Sequence, residues 1–306
     1  RKAIDFFSSY NSFSALDGTV DPSIIFNHLI RYMSIQKFRT PKGLRYLNNF
    51  IRTNNKNRQL FEMQRLQSLH CAIWTECVWA IVSAEKTQTK FIISDHPITV
   101  YNRDIFPDSS YCHQYTDPDF RMNGTHTYFP LSPTKLLIFT NLSWARNPYG
   151  KSVGIRPNPN LFRPAMFYIS GIQVGRELEE TEVQQINYIT KRRALRFIAA
   201  AKEDWLYPEN HLPTTHWRKL DDRYLFMPDP RDHSLGGEIL IGYKDGRATA
   251  FDEYGRRPWQ SDYKETKINE VEGKSLYAFQ GEFARLFGPK RRGHSENFGG
   301  RIIELY

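Results

Sequence analysis

In the first third of the chain, apolar residues recur at spacings of three and four, a pattern typical of amphipathic helices packed on one another. The first helix is expected to begin at Asp21-Pro22, where an acidic cap precedes a proline at the first helical position. Thr40-Pro41 breaks the pattern, and a second helix follows as far as Ile51. After a polar break at residues 54–57, a long third helix is predicted from Arg58 to about Glu85.

Short β-branched runs take over in the middle of the chain and predict strands. Residues 91–93 and 98–101 flank a polar elbow, Ser94-Asp95-His96-Pro97. Two further strands are predicted at residues 127–129 and 135–140, joined by a link whose two prolines prevent a regular ladder across it. The sequence therefore predicts a small sheet that is mostly antiparallel.

The remaining segments are assigned by composition and periodicity. Residues 104–124 and 143–164 are rich in polar residues or proline and predict loops, the first long enough to suspect a functional role. A helix is expected over 179–201, with acidic residues at its start and basic residues near its end, as its macrodipole favours. Farther on, the pattern predicts a hairpin over 236–251, helical spacing over 276–287 and a basic loop over 288–293.

These elements together predict an α+β fold in three parts. Residues 1–87 form a helical part, and residues 88–207 form a small, mostly antiparallel sheet backed by a helix. Residues 208–306 form an extension with a hairpin, which is either separate or wrapped over the rest. No fixed-period repeat is visible.

The composition describes a globular chain and excludes several other classes. With 306 residues, 40% of them hydrophobic and 25% charged, the chain can bury a sizeable core. The longest apolar runs are too short to cross a bilayer, so no membrane is expected. Three cysteines are too few for a disulfide framework or a paired-cysteine zinc site, which favours a reducing compartment such as the cytoplasm. The chain opens on Arg1-Lys2, and a removed targeting segment is left open as an alternative.

The net charge of +9 is concentrated in the first third of the chain. Residues 1–90 contain 13 Lys and Arg against 6 Asp and Glu, whereas residues 208–306 contain 16 of each. A localised basic surface attracts polymers that carry phosphate, and such binding weakens with salt. The alternative is an ordinary solvated helical surface.

Four segments in order resemble the domain of unknown function 4238 family over roughly residues 25–207. They are residues 36–41, the strand and elbow at 91–97, the link at 129–133, and the helix that carries Asn187, Ala194 and Phe197. The resemblance implies a helical N-terminal part before a small sheet, and it implies no established activity.

The chain departs from the family pattern in two places, and residues 208–306 lie outside the match. Members usually open with a segment of histidine, proline and aromatic residues that is not found here, consistent with a missing N-terminal segment. They also usually have asparagine at the position of His96.

The elbow is the best candidate site, because a turn between two strands projects its polar side chains away from the ladder. Asp95 is a candidate general base or metal ligand, and His96 a candidate base or acid near neutral pH. Ser94 belongs to the same elbow and is a candidate substrate contact. The structural alternative is that Asp95 caps backbone amides in the turn.

Three other residues complete this candidate site. Arg39 lies at the helix break beside Gln36, where its guanidinium could hold either Asp95 or a substrate phosphate. A purely structural pair between Arg39 and Asp95 would explain the same residues. Asn187 lies among apolar neighbours, so it either ties its helix to the strand link or faces a pocket.

A second candidate surface is the basic loop Lys290-Arg291-Arg292, with Tyr254, Trp259 and Tyr263 upstream. Cations mixed with aromatic faces suit nucleic acid strands, although basic loops are common without that role. His211 and His216 lack the neighbours of a metal site, and the spacing of His70 and Trp74 suggests core packing. No phosphate-loop, dinucleotide or nucleophile-elbow motif occurs, so the sequence does not support those three functions. No metal ligands are assigned, and the cofactor stays unknown.

Three functions stay open, and whether the chain is an enzyme is not decided. The first is a nucleic-acid-associated or interaction protein with a basic helical face. The second is a metal-assisted or general-base hydrolase of a phosphate-containing substrate, in which Asp95 and His96 act and Gln36 and Arg39 position the substrate. The third is a component of a larger assembly, docked through residues 208–306. The expected partners are therefore nucleic acid or other proteins.

Overall fold

The computed structural model describes most of the chain. The described residues are 1–10, 22–51, 55–75, 77–152, 172–233, 238–243, 245–252, 257–261, 263 and 266–295. Within them lie seven α-helices: α1 Lys2–Ser9, α2 Pro22–Arg39, α3 Pro41–Ile51, α4 Lys56–Thr75, α5 Leu142–Arg146, α6 Glu180–Arg193 and α7 Thr266–Phe287. The strands are β1 Cys77–Ser83, β2 Ile93–Ser94, β3 Thr99–Asn102, β4 Thr125–Pro130, β5 Lys135–Asn141, β6 Gln173–Glu177, β7 Ile198–Ala199, β8 Glu238–Gly242, β9 Ala248–Asp252 and β10 His294–Ser295.

The α+β prediction is confirmed by a mixed sheet of six strands in the order β10-β6-β1-β5-β4-β3. Strand β1 is parallel to β6, and the other neighbouring strands are antiparallel. Side chains alternate between the two faces of a strand, and both faces of this sheet are covered. Trp79 and Ile81 of β1 pack with residues of helices α1, α2 and α4, whereas Ala80 and Val82 pack with residues of α6.

The prediction of a helix from Arg58 to about Glu85 is wrong from Cys77 onward. Helix α4 ends at Thr75, and Cys77–Ser83 is strand β1 near the middle of the sheet. All seven residues of β1 are buried, because the strand is covered on both faces. A strand covered on both faces is apolar throughout, so its residues also fit a helical stripe by chance.

The prediction of a helix over 179–201 is too long at its end. Helix α6 stops at Arg193, and Ala194 is extended. The carboxylate of Asp95 accepts hydrogen bonds from the amides of Leu195 and Arg196, both at 2.9 Å. This contact directs the chain into β7, which pairs with β2 in a separate two-stranded sheet.

The two strands predicted around the elbow therefore belong to different sheets. Residues 93–94 form β2, whereas residues 99–102 form β3 at the edge of the main sheet. The predicted loop at 104–124 contains a short 3-10 helix, Ser110–Tyr115. The predicted loop at 143–164 begins inside α5, and its residues from 153 onward lie outside the described residues.

Residues after 208 contribute to the core and to the sheet. The predicted hairpin is confirmed by the β8–β9 pair, although Lys244 in its turn lies outside the described residues. Trp217 and Phe226 are buried in the cluster between the sheet and α6, and β10 pairs with β6. The boundaries at 87 and 207 stay predictions. In the described parts of the chain, no helix is both long and apolar enough to span a bilayer.

Candidate functional site

A buried cluster of charged side chains is centred on the carboxylate of Asp117, whose side chain is 6% exposed. Three groups from other elements bind it. Lys37, near the end of α2, donates to Oδ2. Lys42, in the first turn of α3, donates to Oδ1 at 2.6 Å, and Nε2 of His96 lies 2.8 Å from Oδ2. Residues from three separate segments thus meet at one carboxylate.

The break between α2 and α3 places the two lysines. Thr40 caps α3 by accepting a hydrogen bond from the amide of Gly43 at 3.0 Å, and Pro41 occupies the first helical position. Gly43 lies so close to α2 that a Cβ atom there would be 2.0 Å from the carbonyl oxygen of Lys37. The close turn brings Lys37 and Lys42 to the same side, facing Asp117.

The cluster carries more positive than negative charge. Lys42 also donates to the backbone oxygen of Arg193 at 2.7 Å. The buried guanidinium of Arg193 stacks on Trp217 and donates to the carbonyl oxygen of Ile105 at 3.1 Å. Among the described carboxylates, none forms an ion pair with Arg193. Two buried ammonium groups therefore share one buried carboxylate, and the buried guanidinium of Arg193 adds a third positive charge nearby.

Burial and neighbouring charges set the protonation of the cluster. Burial lowers the pKa of Lys37, and the nearby charges of Lys42 and Arg193 lower it further, against the attraction of Asp117. Burial, together with the charge of Lys37, lowers the pKa of His96 to about 4. Burial alone would raise the pKa of Asp117, but the attraction of Lys37, Lys42 and His96 holds it well below its ordinary value. Near neutral pH, Asp117 is ionised and His96 is neutral.

These protonation states assign the hydrogens of His96. An ionised carboxylate only accepts hydrogen bonds, so Nε2 of His96 carries the hydrogen and donates it to Asp117. Nδ1 then accepts from the hydroxyl of Thr40, which lies 2.7 Å away. The order of carboxylate, imidazole and hydroxyl is that of a hydrolase triad. Thr40, however, is a buried helix cap outside the cavity lining, so it orients the ring and is not an exposed nucleophile.

The cluster forms the floor of a cavity of about 520 Å³. Cavities of this size accommodate small organic ligands. Helices α3 and α4 form one side, and the segment between the 3-10 helix and β4 forms the other. The floor of the cavity is charged, its walls are largely apolar, and its rim is polar. The floor consists of Lys37, Lys42, His96 and Asp117. The walls include Leu66, Leu69, Ile73 and Phe120, and the rim includes Tyr46, Arg65, Tyr111 and Arg121.

The elbow and the helix break do meet, but through other residues than expected. The contact joins Thr40 to His96, and of the predicted set only His96 lines the cavity. Arg39 points to solvent, Gln36 is half-buried, and Asp95 binds the backbone after α6. The expected convergence of Arg39, Asp95 and His96 around one cavity does not occur, because adjacent residues of a helix point in different directions.

Two further predicted residues hold the backbone. The hydroxyl of Ser94 accepts from the amide of His96 and donates to its carbonyl oxygen, which closes the elbow. The amide of Asn187 accepts from the backbone N–H of Ile92 at 3.1 Å and donates to the carbonyl oxygen of Lys90 at 2.8 Å. Of the two roles considered for Asn187, this geometry is that of a tie, but it joins α6 to the backbone just before β2 and not to the link at 129–133.

The loop Lys290-Arg291-Arg292 is bound largely to the chain itself. Arg291 lies 3.6 Å from Asp229 and from Asp232. Arg292 pairs with Glu182 and stacks on Phe287, and burial lowers its pKa to about 9. Lys290 remains exposed, as does Trp259, whereas Tyr254 lies outside the described residues. Two of the three predicted nucleic acid contacts are thus engaged in ion pairs within the chain.

Sequence reasoning missed Lys37, Lys42 and Asp117. The available signals were the helix break, which two lysines flank, and the long polar segment at 104–124 that carries Asp117. The described residues include no group of three or more His, Cys, Asp and Glu suited to a metal ion.

The buried histidines predict a protein that loses stability as the pH falls below about 6.5. Burial lowers the pKa of His96 to about 4 and of His126 and His233 to about 3, and it lowers the pKa of His70 well below its ordinary value. Below about pH 6.5, these histidines bind protons in the unfolded chain but not in the folded chain. The free energy of unfolding therefore falls by roughly 2 kcal/mol per histidine between about pH 6.5 and about pH 5. Asp221 has the opposite effect, because burial raises its pKa to about 6 and the folded chain binds this proton more readily than the unfolded chain. It is one group, so it offsets only part of the loss.

Urea denaturation at several pH values measures the slope of the free energy of unfolding against pH. His126→Gln should flatten it, because one of the buried neutral rings is then removed. The matched control is His28→Gln, since His28 is exposed and should leave the slope unchanged. A stability that is constant between pH 7 and pH 5 would contradict the prediction.

Comparison with known proteins gives a family and no activity. No curated protein and no solved structure matches the chain. A family model matches residues 26–204, which include most of α2, all of α3 to α6, the elbow, Asp117 and most of the main sheet. Because this match covers more than half of the chain, the protein belongs to the family described as protein of unknown function, DUF4238.

Proposed function

We propose that this protein binds a small organic anion, with a carboxylate or phosphate group, in the cavity above Lys37, Lys42, His96 and Asp117. The observation that carries the proposal is the excess of buried positive charge at the cavity floor. Buried charges are costly unless they are compensated. An anionic group on a ligand would compensate the cations that Asp117 alone does not neutralise.

The shape and lining of the cavity support a ligand with an apolar part. Leu66, Leu69 and Phe120 line its walls, and its volume of about 520 Å³ suits a molecule larger than an inorganic ion. Lysine binds carboxylate and phosphate alike through charge-assisted hydrogen bonds. The floor would hold the acid group, and the walls would hold the rest of the molecule.

Isothermal titration with benzoate and with phenyl phosphate tests this proposal and separates the two acid groups. Lys42→Met should weaken binding of the favoured compound about tenfold or more, because a hydrogen bond to a charged group contributes about 1.5–3 kcal/mol. The control is Lys86→Met, which removes an exposed lysine outside the cavity lining. If neither compound binds the folded protein, or if the two variants bind equally well, the proposal is wrong.

Hydrolysis by Asp95 and His96 lacks support in the geometry, so the proposed function is binding alone. A general base must reach the substrate, whereas both oxygens of Asp95 are occupied by the amides of Leu195 and Arg196. The neutral ring of His96 lines the cavity, but its two nitrogens contact Thr40 and Asp117.

A second candidate function is nucleic acid binding along α2 to α4. Residues 22–75 contain nine Lys and Arg and a single acidic residue, Glu62. Lys37 and Lys42 are buried in the cluster, whereas Arg31, Arg45 and Arg58 are exposed. An exposed cationic surface with few acidic residues attracts phosphate backbones.

Fluorescence anisotropy with a labelled RNA strand at increasing salt tests this second candidate. Binding should weaken steeply with salt, and replacing Arg31, Arg45 and Arg58 by glutamine should weaken it and reduce the salt slope by about one for each arginine replaced. Lys290→Gln is the control for the C-terminal loop. Absence of binding at low salt would remove this candidate, and an effect of Lys290→Gln alone would move the binding surface to the loop.

The third hypothesis, docking to a larger assembly through residues 208–306, stays a proposal for the outer surface of this segment only. Its inner side is occupied, because Phe279 and Phe283 of α7 are buried against Trp144 and Met227.

A further inference from the structure

Lys37 combines the features of a reactive amine at the floor of the cavity. Its side chain is 9% exposed and its Nζ lies 5.0 Å from the centre of the Phe120 ring. The same atom is 3.1 Å from Nε2 of His96 and pairs with Asp117. The amine is thus desolvated, open to the cavity, and flanked by the imidazole of His96 and the carboxylate of Asp117.

A lysine becomes nucleophilic when it loses its proton, which burial and nearby cations favour. Both conditions hold at Lys37, because Lys42 and Arg193 add positive charge around a buried ammonium, and its pKa is lowered. The two other buried cations, Lys42 and Arg193, are held by contacts of their own. Arg193 is held by a backbone oxygen, a stacked ring and the thiol of Cys112.

Lys42 is the better anchor for an acid group. Its ammonium has three hydrogens, of which one goes to Asp117 and one to the carbonyl oxygen of Arg193. The third is available to a ligand in the cavity. An acid group held by Lys42 would place an adjacent carbon near Lys37.

We propose that Lys37 forms an imine with a small oxo acid, whose carbonyl carbon reacts with Nζ while Lys42 binds its acid group. This inference rests on the proposed function, since it names the class of anion that the cavity takes.

The step balances without any further reactant. After the ammonium of Lys37 loses a proton to solvent, which its lowered pKa favours, the free amine attacks the carbonyl carbon, and the electron pair of the C=O bond moves to oxygen. The carbonyl oxygen takes up that proton and a second one from the nitrogen, and leaves as water. The nitrogen lone pair then completes the C=N bond. Ammonium and carbonyl thus become a protonated imine and water, with no net gain or loss of protons.

The charge balance also favours this product. The protonated imine keeps one positive charge on the nitrogen of Lys37, so the ion pair with Asp117 is preserved. No buried charge is created or removed at that nitrogen, and the acid group compensates part of the excess positive charge.

Reductive trapping tests the inference. The full chain is incubated with pyruvate and sodium borohydride, which reduces an imine to a stable secondary amine, and the modified lysine is located by peptide mass spectrometry. The adduct should form on Lys37, and an excess of benzoate should prevent it.

Two variants make the test specific. Lys37→Arg keeps the positive charge beside Asp117 and should abolish the trapped adduct at this site, with folding checked by circular dichroism. Lys86→Arg, which removes an exposed amine, should leave the Lys37 adduct unchanged. Adducts confined to exposed lysines, with Lys37 unmodified, would overturn the inference.

The outcome also separates this inference from the proposed function. If benzoate or phenyl phosphate binds in a manner that depends on Lys42 while Lys37 stays unmodified, the imine is wrong and the anion site stands. If no anion binds at all, the proposed function fails, and the imine inference fails with it.

Discussion

Asp117→Asn is expected to destabilise the protein by about 3–5 kcal/mol, because it leaves the buried charges of Lys37 and Lys42 without their shared carboxylate. Asparagine has nearly the same shape, so the loss would come from charge and not from a cavity. Urea denaturation followed by circular dichroism measures the free energy of unfolding.

The matched control for this experiment is Asp119→Asn, two residues farther along the same segment. Asp119 pairs with Arg121, and their side chains are 33% and 41% exposed. An exposed pair of this kind contributes about 1 kcal/mol or less. Equal losses for Asp117→Asn and Asp119→Asn would contradict the account of a buried charge centre.

A double-mutant cycle shows whether the loss comes from unpaired cations. Adding Lys42→Met to Asp117→Asn removes one of the charges left without a partner, so the double variant should be more stable than the sum of the two single effects predicts. Strict additivity would mean that Lys42 and Asp117 do not interact.

Gly43→Ala is expected to destabilise the protein by about 1–3 kcal/mol or more and to abolish anion binding. The added Cβ atom would lie 2.0 Å from the carbonyl oxygen of Lys37 and 2.8 Å from Cα of Phe38, so the backbone of α2 or α3 must move. Any such movement separates Lys37 from Lys42. Thermal unfolding and titration with the bound anion measure the two effects.

Gly281→Ala in α7 is the control for this prediction. A Cβ atom at Gly281 would meet nothing within 4 Å, and alanine forms helix more readily than glycine. This variant should therefore stabilise the protein by a few tenths of a kcal/mol to about 1 kcal/mol. If both glycine variants were stabilising, the close approach of α2 and α3 would be refuted.

Helices α2 and α3 could be predicted because their signals are local. Proline at positions 22 and 41 marks the first residue of α2 and of α3, as expected for a residue that lacks a backbone N–H. Strand β1 could not be recognised in the same way. Its apolar residues satisfy the spacing of a helix, and only the sheet and the helices that cover both its faces make it a strand.

The meeting of the helix break with the elbow was predicted, but not the side chains that make the contact. Gln36, Lys37 and Arg39 lie within one turn of α2, and any of them could have faced inward. Packing against Phe120 and Asp117 selects Lys37 and leaves Arg39 exposed. That selection depends on residues about eighty positions away, which no local pattern reveals.

The same limit explains Asp117 and the basic C-terminal loop. Asp117 lies in an irregular segment with no periodicity, so nothing in its neighbourhood marks it as buried. In the loop, Arg291 and Arg292 are conspicuous as cations, whereas the carboxylates that bind them come from distant parts of the chain. A count of local charge therefore overestimates the free positive charge of a segment.

The central claim is that the cavity above Lys37 and Lys42 is an anion site. A crystal of the protein soaked with 4-bromobenzoate tests it most directly, since anomalous scattering locates the bromine atom and therefore the ring. The account predicts bromine between α4 and the segment that carries Asp117, with the carboxylate bound by the two lysines. Bromine found only outside this cavity, or none at a saturating concentration, would contradict it.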